Sequence, residues 1–230
     1  MNRFGLTFVL VLIAFCAVLV LNDLAGAQQN EGPNVRFSWA FGALVGPAND
    51  KKLALITQDT ILTTGDRLKL FVKLVNPCFV YLLHREGQGE FRLLFPSGLD
   101  QFEADYHVGK NYTIPQGNAS FELDGPPGTD TFYLLASTTR LTGLEALLKS
   151  CESAGAREKQ ALSRRIVAEI RDLRKQNKTF SGPAERPEQI GGNVRGPDDD
   201  GIGSFPDLGP FAVEVSAKDF YGRTYTIEHQ

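Results

Sequence analysis

Positive charge, histidine and cysteine are all in short supply in this chain, and each shortage removes a class of function. Lys and Arg number 24 against 27 Asp and Glu, a formal net charge of −3, so nothing in the composition points to a nucleic-acid partner. The 3 histidines, His84, His107 and His229, are scattered singly, and such residues are more often surface or core groups than ligands; no metal site is expected. Gly-x-Ser-x-Gly, Gly-x4-Gly-Lys-Ser/Thr and His-Glu-x-x-His are all missing, so no catalytic residue and no cofactor is expected.

Cysteine is also sparse. Cys16 lies in the N-terminal apolar run, which leaves Cys78 and Cys151. In an exported compartment these two can join, and a bridge over that separation would stabilise by about 4 kcal/mol in the chain-entropy model. The alternative is two buried free thiols, since cysteine packs as a small hydrophobe. Cys78 and His84 share a face of one strand but stand about 20 Å apart on it, too far to work as a nucleophile and its base.

What is present begins with a leader. Met1-Asn-Arg3 is basic, residues 4–21 are almost unbroken apolar sequence, and Ala25-Gly26-Ala27 supplies small residues for a signal peptidase. The reading is a signal peptide over 1–27 and a mature chain from Gln28, periplasmic or extracellular; an uncleaved anchor is the alternative, because the run is just long enough to span a bilayer core. Arg3 and Asp23 cancel, so the mature chain keeps the net charge of the whole.

Short alternating segments follow. Val35, Phe37, Trp39, Phe41 and Ala43 fall on one side of a strand, and Leu68, Leu70, Val72 and Leu74 on one side of another that starts at the turn Gly65-Asp66. Residues 79–84 are apolar on both sides and read as a central strand covered twice. The turn 85–89 returns the chain into Phe91, Leu93 and Phe95, expected with Tyr81 to build the sandwich core. Further strands read at 112–114, 119–123 and 131–136.

The pattern then becomes helical over 141–151 and again over 157–178, where Leu162, Ile166, Ile170 and Leu173 make one stripe. The opposite face of the longer helix carries Arg157, Lys159, Arg164, Arg165, Arg171, Arg174, Lys175 and Lys178 against Glu158, Glu169 and Asp172. It is a salt-bridged surface or a contact for an acidic partner. Residues 181–210 are rich in Gly, Pro and Asp and read as loop; Asp198, Asp199, Asp200 and Asp207 there lack EF-hand spacing. Two last strands read as a terminal hairpin.

The fold expected is mainly β: an antiparallel β-sandwich, immunoglobulin-like in general architecture, over 28–140, a helical insert over 141–180, the loop 181–210, and a hairpin over 211–230 that rejoins the core. Binding surfaces are expected at loops and strand edges, namely the Gly65-Asp66 turn, the 85–89 turn and the basic helix, with Asp66, Arg85, Arg164, Arg165, Arg171 and Arg174 as candidates.

Leu62-Thr-Thr-Gly-Asp66, Cys78-Phe-Val-Tyr-Leu82, Gly89, Leu93-Leu-Phe-Pro96, Gly109-Lys-Asn-Tyr-Thr-Ile-Pro115, Phe121 and Gly125-Pro-Pro-Gly128 together resemble the bacterial family called domain of unknown function 4384, over roughly residues 53–138. Ala184-Glu-Arg-Pro187, Gly191-Gly192 and Lys218-Asp-Phe-Tyr-Gly-Arg-Thr224 are similar more loosely, and Phe79 stands where the family often has tyrosine. The resemblance implies an exported or envelope-attached domain that serves as a binding accessory to an envelope protein or polymer. A hydrolase with an unrecognised site, a thiol-dependent one among the options, is the alternative function.

Overall fold

Alternation with a period of two sorts the side chains of this protein onto three layers. The computed structural model describes residues 34–47, 50–87, 89–124, 126–177 and 204–230. The leader 1–27, the 198–200 acidic run, the 184–192 motif and Lys178 lie outside the described residues.

Strand β1 (Val35–Val45) is the centre of the first sheet. One edge pairs along its length with β4 (Arg67–Leu74), while the other is shared between β10 (Val213–Ala217) and β2 (Lys52–Leu55). The far edge of β4 takes β7 (Asn111–Ile114) and β8 (Phe121–Glu122). The second sheet runs β3 (Thr60–Leu62), β11 (Phe220–His229), β9 (Gly128–Ser137), β5 (Phe79–Glu86), β6 (Phe91–Phe95), antiparallel except where β3 meets β11.

The inward faces meet through aromatic side chains. Phe37 packs on Tyr221, Trp39 on Tyr225 and Phe41 on Phe132, with centroids 5.7, 4.9 and 5.0 Å apart. These pairs join the two sheets at offset or edge-on geometry. The outer face of β4 is covered as well: Phe71 packs with Ala40 and Leu208. The buried Lys69 ammonium donates to the carbonyls of Gly117 and Ala119, which holds the segment between β7 and β8 to the sheet.

Helices α2 (Thr142–Ser153) and α3 (Ala156–Gln176) form the third layer; α1 (Gln101–Ala104) is a single turn. Leu144, Leu148, Leu162, Ile166 and Ile170 pack on Tyr81, Leu83, Tyr133, Leu135 and Phe220, the outer face of the second sheet. The Tyr81 hydroxyl fixes this docking: it donates to Glu145 at 2.5 Å and accepts from the Leu141 N–H at 3.0 Å. Arg140 grips the same carboxylate with two nitrogens, at 2.6 and 2.8 Å. A fork of this kind is stronger and more directional than a neutral hydrogen bond.

Two expectations from the sequence need correction. Tyr81 and Phe91 face the helices; of the expected core aromatics of the hairpin, Phe95 alone enters the space between the sheets. Tyr81 alternates with Val80 and Leu82, which take the inter-sheet side of β5, and for Phe91 the reason is a β-bulge. Leu82 pairs with Phe95 but Leu83 with Leu93, so Leu94 is an extra residue and the strand changes face there.

The last two strands do not form a hairpin, because β10 pairs with β1 and β11 with β9. Adjacent carbonyls in the link belong to different sheets: Lys218 accepts from Asn34 N–H and Asp219 from Thr138 N–H, both at 3.1 Å. Of the two states open to Cys78 and Cys151, the structure has the unbridged one. Both are buried free thiols, Cys78 between the sheets and Cys151 beneath the helices, with the second sheet separating the two clusters.

Candidate functional site

One side of the sandwich is open. The second sheet ends at β6 and the first at β7, each paired on one flank only among the described residues. Between these edges lie two adjoining hollows of about 490 Å³ each, which share Leu94 and Phe121 in their walls. Both side chains are half-buried and packed against the inter-sheet core. Leu94 is the extra residue of the bulge, a device that re-aims a side chain at a sheet edge.

Each end of this groove has its own chemistry. On one end, strands β5, β9 and β11 outrun the apolar core, and their inward positions turn polar. Val80 and Leu82 are followed by His84 and Glu86, Phe132 is preceded by Asp130, and Ile227 is followed by His229. His84 Nε2 lies 2.7 Å from Asp130 Oδ1, and its ring stacks on Phe132 at 4.7 Å. His229 Nε2 is 3.0 Å from the Thr64 hydroxyl. Glu86, Glu122, Asp124 and Asp130 stand here against Arg92.

The other end is built by β7 and by Gln101, whose buried side-chain oxygen accepts from the N–H and hydroxyl of Ser97 at 2.6 and 3.0 Å. Tyr112 lines it, and its hydroxyl accepts from the His107 N–H at 2.7 Å. Lys110 and Asp105 pair at the rim, and the Lys110 hydrogen bond holds the Asp105 carboxyl below its ordinary value. The groove therefore offers an apolar floor, two strand edges that take no further strand among the described residues, and polar ends. An added strand seats on such an edge through main-chain hydrogen bonds, with pockets for alternate side chains.

Of the side chains singled out from the sequence to bind a partner, none lines this groove, although Glu86, Gly87 and Gly89 of the 85–89 turn do. Asp66 is 3% exposed and spends its carboxylate internally: it accepts from Thr63 N–H at 2.9 Å, Thr63 Oγ1 at 3.1 Å, and Lys51 Nζ and Gly46 N–H at 3.3 Å. Burial pushes its carboxyl up, but the Thr63 and Lys51 contacts outweigh this and hold it below its ordinary value. Gly65 before it adopts φ +85°, open to glycine without strain.

Arg85 points to the helical side, over Phe91 at 5.9 Å, and shares the neighbourhood of Tyr133 with Arg174. Arg174 donates to Thr224 Oγ1 at 3.2 Å. Arg164, Arg165 and Arg171 are exposed on α3. His84 and Asp130 were missed as a pair. Alternation from Val80 places His84 inward, but only the register of β5 against β9 brings Asp130 beside it.

The thiols lie apart from these groups. Burial pushes Cys78 up to about 11 and raises Cys151 also, so neither favours the reactive thiolate. Among the described residues, no three His, Cys, Asp or Glu side chains gather closely enough to hold a metal ion, and no helix is long and apolar enough to cross a membrane.

The fold and groove define a two-sheet β domain with a helical layer. Residues 61–140, from the end of β3 through β9, match the model of the family described as Domain of unknown function (DUF4384). No curated protein and no solved structure matches the chain.

Proposed function

We propose that this protein is an exported, non-catalytic interaction domain whose open groove receives an extended segment of an envelope protein. The observation that carries the proposal is the bulged edge strand β6 facing the short edge β7 across an apolar floor made by Leu94 and Phe121. Backbone groups along both edges supply affinity without demanding a particular sequence, while the floor and the polar ends select side chains. The basic start, apolar run and Ala25-Gly26-Ala27 support export.

Selection of a random-peptide library against the mature chain tests the groove. Enriched peptides should bind at least tenfold more weakly to Leu94→Glu under conditions where that variant is still folded by circular dichroism, whereas equal binding to that variant would reject the groove as their seat.

A second reading, hydrolysis, rests on the His84–Asp130 contact, since a carboxylate 2.7 Å from an imidazole orients a general base. Its thiol-dependent form is disfavoured by the burial of both cysteines.

A further inference from the structure

The crest of α3 that points away from the molecule carries a row of cations, with Asp172 at its margin beside two of them. At 100° per residue, positions 157, 164, 171 and 175 fall on one stripe opposite the buried Leu162, Ile166 and Ile170. They are Arg157, Arg164, Arg171 and Lys175, all exposed. Ala161 and Ala168 fill the stripe between them, and the acids Glu158, Glu169 and Asp172 lie to one flank.

Helix stability accounts for one end of this row only: Lys175 stands in the last turn, where the macrodipole favours cations. Arg157 stands in the first turn, where the macrodipole favours anions. Arg171 and Lys175 are like charges four apart, a spacing that costs stability. Their shared partner is Asp172, at 3.8 and 4.0 Å in exposed pairs, which contribute little. Arg157 and Arg164 have no ion pair among the described residues. On a chain with net charge −3, the row is a local inversion of sign.

Seven-residue steps place successive guanidinium groups at intervals of about 10 Å along a crest of about 27 Å. A small anion needs donors that converge on it, and these diverge along a line. We propose that the α3 crest binds a linear polyanion, a polymer whose carboxylate or phosphate groups repeat along an extended chain. This surface is separate from the groove and extends the function beyond it.

The test titrates the mature chain with fluorescently labelled polygalacturonate and polyphosphate at increasing salt. Binding to at least one should weaken as salt rises. The triple variant Arg157→Gln, Arg164→Gln, Arg171→Gln should lose at least tenfold in affinity at an unchanged thermal midpoint. The corresponding triple lysine variant should stay within about threefold of the parent, because it keeps the charge. Binding to one polymer identifies the preferred anion. Binding to neither, undiminished binding by the glutamine variant, or binding to anionic phospholipid vesicles alone would overturn the proposal. Leu94→Glu should leave polyanion binding unchanged.

Discussion

Asp66 closes the turn before β4 with a buried carboxylate, and its ionisation is tied to folding. Its folded pKa is lowered, so the stability it contributes is fully present above the ordinary value of 3.8 and is lost as pH falls through the folded value. Asp66→Asn should cost about 1–3 kcal/mol at neutral pH in urea unfolding, and the gap from the parent should narrow below about pH 3.8. A gap that stays constant with pH would mean the carboxylate makes no charged contacts. The turn was legible in Thr-Thr-Gly-Asp, but not the burial, because Lys51 and Gly46 reach Asp66 from another loop. The cysteines give a second residue-scale outcome. Thiol titration of the oxidised mature protein should find Cys78 and Cys151 unreactive when folded and both reactive in denaturant; loss of both thiols in denaturant would show a bridge.

At the scale of elements, α3 stays in place through its apolar stripe and α2 through the Tyr81–Glu145–Arg140 network. Ile166 is fully buried, so Ile166→Ala should destabilise by about 2–5 kcal/mol, read as a lower urea midpoint; a change under about 0.5 kcal/mol would mean the helices are loosely docked. Periodicity was enough to place most strands and both long helices within a few residues, because each buries one face. It failed at β6, where the extra Leu94 switches the faces of the strand, and at the terminal strands, where the short link suggested a hairpin. In both cases pairing between distant segments decided the outcome, and a local pattern does not carry that information.

For the whole molecule, the family segment and the folding unit differ in extent. Residues 61–140 omit β1, the centre of the first sheet, and β11, which joins β9 to β3. The excised segment should therefore show no cooperative unfolding transition, by circular dichroism with heating, while residues 28–230 should show one. A cooperative transition in the segment would mean that its core closes without those strands. The groove was only partly legible: strand edges were expected to bind, yet which edges remain open follows from the assembled sheets alone. The central claim is that an extended protein partner occupies the groove between β6 and β7. Its most direct test is a photo-crosslinking amino acid at position 94, activated in living source cells. A discrete protein adduct is expected at that position, lost when Phe121→Glu places a charge on the apolar floor; no adduct at 94, or one that persists in that variant, would show that the groove is not the partner's seat.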